Sequence, residues 1–128
     1  MIKDKGLINE PQDIAERTFV FAVRVLKMTS GLSRNTVNLM MINQIIRCAT
    51  SIGANIEEAR GGHTKTDFTY SMNIAKKEAR ETLYWLRLIS TMNSALSSRL
   101  DSLLRENEEI IKILTTIVKS SRPRVFSS

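Results

Sequence analysis

Four polar residues share one stripe within the stretch 42–62: Arg47, Ser51, Asn55 and Glu58. Spacings of four, four and three place such side chains along one side of a helix. The stripe is either the solvated face of that helix or a partly buried network, in which Arg47 pairs with Glu78 or Glu81 of an antiparallel neighbour. If the network is buried, Arg47→Ala would lower the free energy of unfolding by a few kcal/mol.

A row of cations occupies the segment 76–87: Lys76, Lys77, Arg80 and Arg87. Three of them fall on one side of a helix, with Lys77 close by, and cations projecting from a rigid rod suit the phosphates of nucleic acid. The alternative is a solvated surface whose cations pair with Glu81, or with Glu108 and Glu109 of a neighbouring helix. No aromatic cluster is evident among these charges, so binding would follow shape and phosphates more than base sequence.

Catalytic and metal-binding chemistry has few candidates. The one histidine, His63, lies in a Gly-Gly loop, whereas a di-iron centre in a helical bundle needs Glu-x-x-His pairs and several inward carboxylates. The one cysteine, Cys48, has no histidine near it in the sequence and is expected to be a buried, reduced thiol. No phosphate-binding glycine loop is present. We therefore expect no enzyme, no metal site and no cofactor.

Composition predicts the elements that position these groups. Of 128 residues, 42% are hydrophobic, only 5% are aromatic and two are prolines, which favours one all-α domain. The net charge of +6 is spread evenly, each third of the chain contributing about +2. A polyanion partner is therefore plausible, but charge alone does not require one. No secretory leader or long apolar span is seen, so we expect a cytoplasmic protein with no membrane partner.

Apolar periodicity predicts four helices. They run from Pro11 to Ser30, over 35–60, from the Thr64 capping box to Met92, and from a start between 95 and 99 to Lys119. Gly31 suits a left-handed turn after the first helix. Short connections predict an antiparallel up-down-up-down four-helix bundle as a single domain, 1–128. Residues 1–10 are expected to form an N-terminal arm, and residues 120–128 a disordered tail.

The helix seams contain one polar exception. The second helix has the seam Ile42, Ile45, Ala49, Ile52, Ile56 and Ala59. In the fourth helix Asn107 interrupts an otherwise apolar seam, where a buried polar residue can fix the register of neighbouring helices. Alternatively, a small rotation of the helix exposes Asn107.

Two segments carry more apolar surface than one bundle core requires. The first helix is apolar around most of its circumference, and the segment 83–89 is apolar on several faces. We predict a subunit interface with five candidate residues: Phe19, Val23, Tyr84, Trp85 and Leu88. The alternative for the first helix is that the rest of the chain wraps it fully.

The residues of 44–60, followed by Phe68 and 74–86, resemble a known family. It comprises the four-helix-bundle proteins encoded in intervening sequences of bacterial large-subunit ribosomal RNA genes, and includes relatives of the accessory variability protein of diversity-generating retroelements. The resemblance implies a homopentameric barrel, which in the retroelement branch is associated with a reverse transcriptase and its RNA. The family's polar residues fall on Arg47, Ser51, Asn55, Glu58 and Glu81. This chain departs from the family at 77–78, with Lys-Glu for the commoner Gly-Ser, and at 58–59, with Glu-Ala for Glu-Gly.

Two functional hypotheses follow. The first is a non-catalytic homo-oligomer that binds structured RNA or another nucleic acid, alone or with a nucleic-acid-processing protein. Five copies of a +6 chain would carry about +30, which favours phosphate attraction that weakens with salt. The second is an oligomeric protein-interaction scaffold without a nucleic-acid role.

Overall fold

Four long helices form the part of the chain that the structure, a computed structural model, describes: residues 13–122. In chain order the helices are α1 (Asp13–Ser30), α2 (Thr36–Arg60), α3 (Lys65–Met92) and α4 (Ser97–Ser121), with a 3₁₀ turn at Ser94–Leu96 before α4. The helices α1 and α3 each pack against α2 and α4, and no close contact joins α1 to α3 within these residues. The predicted all-α, antiparallel up-down-up-down bundle is confirmed, with α1 and α3 at diagonal corners.

Side-chain caps start α2 and α3 where the sequence predicts. The Asn35 side chain accepts a hydrogen bond from the Asn38 amide (2.8 Å), and the Thr64 hydroxyl accepts one from the Asp67 amide (3.0 Å). The left-handed turn predicted at Gly31 is wrong, because no described glycine has a positive φ. The Gly31 amide instead donates to the Met28 carbonyl, so α1 closes by tightening its last turn.

The core lies between all four helices and follows the predicted seams. All six predicted seam residues of α2 are buried, and a fully buried stripe of α3 faces them. Helix α1 packs on α2 at Gly53, where an added Cβ would lie 3.4 Å from the Thr18 hydroxyl oxygen. This is an ordinary contact distance, so the spacing between α1 and α2 leaves room for a methyl group at this position.

Asn107 is fully buried between α3 and α4, with 0% of its surface exposed. Its side-chain amide donates to the Ala79 carbonyl (3.0 Å), while its Oδ1 has no partner among the described residues. The alternative of an exposed Asn107 is therefore wrong. One polar contact fixes α4 against α3 inside an apolar layer.

Three predictions concern the ends of the chain: the N-terminal arm, the start of the first helix and the C-terminal tail. The arm at 1–10 and the predicted helix start at Pro11 lie outside the described residues. Helix α4 continues to Ser121, two residues into the predicted tail, because Thr69 of α3 donates a hydrogen bond to the Ser121 carbonyl (3.0 Å). The tail at 123–128 also lies outside the described residues.

None of the described helices is long and apolar enough to cross a membrane.

Candidate nucleic-acid interface

Arg47 joins α2 to α3 at the rim of the bundle. Its guanidinium contacts the Glu81 carboxylate and lies 3.6 Å from the Glu78 carboxylate. The Trp85 indole donates to the same Glu81 oxygen (3.2 Å). The hydrogen bond to Glu81 raises the pKa of Arg47. Half of the Arg47 side chain is exposed, so these ion pairs are solvated and the condition for a large effect of Arg47→Ala is not met.

The rest of the polar stripe stays on α2. The Ser51 hydroxyl donates to the Arg47 carbonyl (2.7 Å), and the Asn55 amide donates to the Ser51 carbonyl (2.8 Å). Glu58 is exposed, three turns from Arg47. The structure therefore brings Arg47 together with Glu81, and it does not bring the other three predicted members into those ion pairs.

The cation row lies on the outer surface of α3. Lys77, Arg80 and Arg87 are exposed and Lys76 is half-buried. Two of the three expected acidic neighbours are engaged elsewhere: Glu81 contacts Arg47, and Glu109 lies 3.6 Å from Lys112. Among the described residues, no carboxylate forms an ion pair with any of the four cations. Their charge is thus directed to solvent.

Arg80 faces α4 across an open groove. The groove has a volume of about 560 Å³ and is lined by Arg80, Leu83, Glu108, Ile111 and Lys112. The Arg80 and Glu108 charges share this groove without forming an ion pair. The cation row therefore borders a concave surface between α3 and α4.

One aromatic side chain, Tyr84, lies among the cations, where the sequence analysis found no aromatic cluster. It is 55% exposed and sits one helical turn from both Arg80 and Arg87. Its ring makes an edge-to-face contact with Trp85, with centroids 5.1 Å apart. This arrangement could have been found in the sequence, because Tyr84 follows Arg80 by four residues and precedes Arg87 by three, which places the three side chains on one face of the helix. An exposed aromatic ring, the kind of group on which nucleic-acid bases stack, thus accompanies the exposed cations.

The predicted interface residues form two separate patches. Phe19, 63% exposed, and half-buried Val23 lie on α1, whereas Tyr84, Trp85 and Leu88 lie on the diagonally opposite α3. Seven other large hydrophobic side chains are exposed among the described residues and were not selected for the interface: Val20, Leu26, Val37, Leu39, Met40, Tyr70 and Met92. Leu26 lies seven residues from Phe19 and therefore on the same face of α1. The exposed apolar side chains of α1 agree with its predicted apolar circumference, and the start of α2 adds an apolar surface that was not predicted.

Cys48 lies in the core with no exposed surface. Burial raises the pKa of its thiol, and the sulfur lies 3.7 Å from the Ile45 carbonyl oxygen. A buried, protonated thiol is a poor nucleophile. Within the described residues, no group of three or more His, Cys, Asp or Glu side chains is arranged to hold a metal ion.

Comparison with known proteins places the chain among similar sequences and folds. A family model described as "23S rRNA-intervening sequence protein" matches residues 10–116. The chain is also similar to a crystal structure of a protein of unknown function from the S23 ribosomal protein family of Bacteroides thetaiotaomicron VPI-5482. The TM-score is 0.78 and the identity 36%, over 85% of this chain and 97% of that one. No curated protein matches the chain. Neither description names a catalytic activity.

Proposed function

Since the chain belongs to the 23S rRNA-intervening sequence protein family, we propose that it is a non-catalytic homo-oligomer that binds RNA through the outer surface of α3. The resemblance to the intervening-sequence proteins noted in the sequence is confirmed. The observation that carries the proposal is the row of cations on α3, none of which forms an ion pair with a described carboxylate, with Tyr84 among them. Phosphates select the cations, and an unpaired base stacks on the ring.

Charge distribution supports a polyanion at this surface. Two of the acidic groups near the row are held elsewhere, Glu81 by Arg47 and Glu109 by Lys112, and the third, Glu108, lines the Arg80 groove without forming an ion pair with Arg80. A cation without an internal partner keeps its full attraction for phosphate, because no protein contact has to be broken on binding. Repetition in an oligomer multiplies the effect, since each copy adds +6.

Oligomerisation is proposed from the positions of the two apolar patches. A ring needs head-to-tail contacts, in which one surface of each subunit meets a different surface of the next. The Phe19 patch on α1 and the Trp85 patch on α3 lie at diagonal corners of the bundle, so each subunit offers two such surfaces. The family resemblance implies five subunits in the ring.

The two roles of α3 occupy different sides of its surface. Arg80 faces the groove beside α4, whereas Trp85 contacts Glu81, which in turn reaches α2 through Arg47. Tyr84 lies at the border between the two sides. A subunit contact on the α2 side would therefore leave the cations on the α4 side accessible to RNA.

The test is binding of a structured RNA across a salt series. Binding should be clearest near 50 mM salt, because a protein that makes 6–10 phosphate contacts binds ~10³–10⁵ more tightly there than at 200 mM salt. A variant with Lys76→Glu, Arg80→Glu and Arg87→Glu should lose this binding. The matched control reverses three exposed cations elsewhere: Arg34→Glu, Lys65→Glu and Lys119→Glu. Equal loss in both variants would show that net charge, not this surface, governs binding.

The alternative function is a protein-interaction scaffold. It is favoured by the exposed apolar residues on α1 and at the start of α2, which suit a protein partner as well as a second copy. Absence of RNA binding even near 50 mM salt would refute the RNA proposal and favour the scaffold.

A further inference from the structure

A second concave surface lies on the adjacent side of the bundle, between the end of α1 and the start of α4. Its volume is about 320 Å³. The lining combines three cations with an apolar floor: Arg24, Lys27, Arg99, Met28, Gly31, Leu96, Leu100 and Leu103. We call it the α1–α4 pocket; none of its residues belongs to the α3 surface.

The electrostatics of the α1–α4 pocket favour an anion. Among the described residues that line it, none is acidic. Arg24 is positioned by a hydrogen bond to the Ser102 hydroxyl (2.6 Å). The nearby carboxylate of Glu106 is engaged by Arg17 through two hydrogen bonds of 3.0 and 2.7 Å. Three cations thus converge on one cavity without an internal counter-ion lining it.

The start of α4 adds to this positive potential. The first turn of α4 contains no acidic residue, and its N-cap, Leu96, offers no side-chain acceptor. The positive end of the helix dipole is therefore uncompensated by a side chain at the place where the cations meet.

The floor of the pocket distinguishes it from a simple anion site. Leu100 and Leu103 are buried beneath it, and Leu96 and Met28 are half-buried at its edge. Inorganic phosphate would leave this apolar surface uncovered. A ligand that carries both a phosphate and a flat, weakly polar group would satisfy the cations and cover the floor together.

We propose that the α1–α4 pocket holds a single unpaired nucleotide of the bound RNA, with its phosphate at Arg24, Lys27 and Arg99 and its base on the apolar floor. The inference rests on the proposed RNA-binding function and deepens it. Small-molecule pockets span about 300–1,000 Å³, so this volume suits one nucleotide. A base stacked and paired in a duplex cannot enter such a cavity, which selects unpaired positions.

The test uses uridine monophosphate as the probe and the amide resonances of Gly31 and Arg99 in the full chain as reporters, with Gly62 as the distant reference. Uridine monophosphate should shift the pocket resonances and leave Gly62 unmoved, while inorganic phosphate and uridine alone should bind at least about tenfold more weakly. Equal binding of phosphate and of the nucleotide would overturn the proposal, because the floor would then contribute nothing.

Variants separate this proposal from the function on which it rests. Lys27→Glu with Arg99→Glu should weaken nucleotide binding at least about tenfold, whereas the control Lys65→Glu with Lys119→Glu, at exposed positions outside both sites, should leave the shift of Gly31 unchanged. If the triple α3 variant loses structured RNA while the nucleotide never shifts the pocket resonances, the pocket proposal fails and the α3 function stands. If the nucleotide binds in the pocket but the unmodified protein binds no structured RNA, the proposed function fails instead.

Discussion

Replacing Asn107 by Asp tests the burial of the central polar contact, because the change conserves side-chain volume and alters only one group. In the protein the Asn107 amide donates to the Ala79 carbonyl (3.0 Å) with no surface exposed. An ionised Asp cannot donate this hydrogen bond and would place a charge beside a carbonyl oxygen. Protonated Asp can donate it. The variant should therefore be destabilised when its carboxyl must ionise and nearly normal when the carboxyl stays protonated.

The magnitude follows from the protonation equilibrium. An unfolded Asp has a pKa near ~3.9, and burial raises the pKa of the folded carboxyl well above it. The folded state then binds more protons, so its stability falls as pH rises, by ~1.4 kcal/mol per pH unit until the folded carboxyl itself ionises. Between pH 4 and pH 7 the penalty has a ceiling of about 4 kcal/mol. Below about pH 4 both states are protonated and the penalty disappears.

The assay is urea unfolding of Asn107→Asp and the unmodified protein at several pH values from 4 to 7. The difference between the two proteins isolates the new carboxyl, because Asn does not titrate. We expect a difference that grows with pH and approaches several kcal/mol at pH 7. A difference below about 1 kcal/mol at every pH would refute the reasoning, since it would mean that the carboxylate is hydrated.

Three further predictions concern other parts of the bundle. Gly53→Ala should raise the free energy of unfolding by about 0.5–1 kcal/mol, because alanine has the higher helix propensity and the added methyl lies at an ordinary contact distance, 3.4 Å, from the Thr18 hydroxyl oxygen. A lower melting temperature would show that α1 and α2 are too close for a methyl group. Cys48 should react with a thiol reagent about a hundredfold more slowly in the folded than in the unfolded chain, because burial raises the pKa of its thiol and excludes the reagent. If folded protein at pH 8 were labelled as fast as the unfolded chain, Cys48 could not be buried. Phe19→Glu with Leu26→Glu should yield a monomer by light scattering with normal helix content by circular dichroism, because both substitutions place a charge on the exposed apolar face of α1. The control Thr116→Glu, on the exposed face of α4, should keep the mass of the assembly. An unchanged mass in the double variant would exclude this face of α1 from the interface.

The sequence predicted the bundle because its apolar periodicity is continuous across each helix. In α2 every predicted seam residue is buried, from Ile42 to Ala59. The caps at Asn35 and Thr64 were predictable for the same reason, since a polar side chain preceding an apolar run has a defined role at a helix start. Local spacing therefore determines the elements and their core faces.

The site was less predictable because it depends on how the helices meet. Antiparallel packing of α2 and α3 suffices to pair Arg47 with Glu81, but the solvent exposure of that pair depends on the width of the bundle, which spacing does not encode. The α1–α4 pocket joins Lys27 to Arg99, residues far apart in the chain, and takes one lining residue, Leu96, from the 3₁₀ turn that precedes α4. Tertiary placement, not residue type, creates such a site.

If RNA binds the exposed cations of α3, the affinity should depend on salt concentration in proportion to the number of these cations. Neutralising the three exposed cations by Lys77→Gln, Arg80→Gln and Arg87→Gln removes up to three phosphate contacts per subunit without introducing repulsion. Each contact contributes about 0.7–0.9 to the slope of log K against log salt concentration. We predict that the variant binds RNA more weakly and that its plot of log K against log salt concentration is shallower by about 2–3 for each subunit that contacts the RNA. An unchanged affinity and slope in the neutralised variant, with its assembly intact, would contradict it.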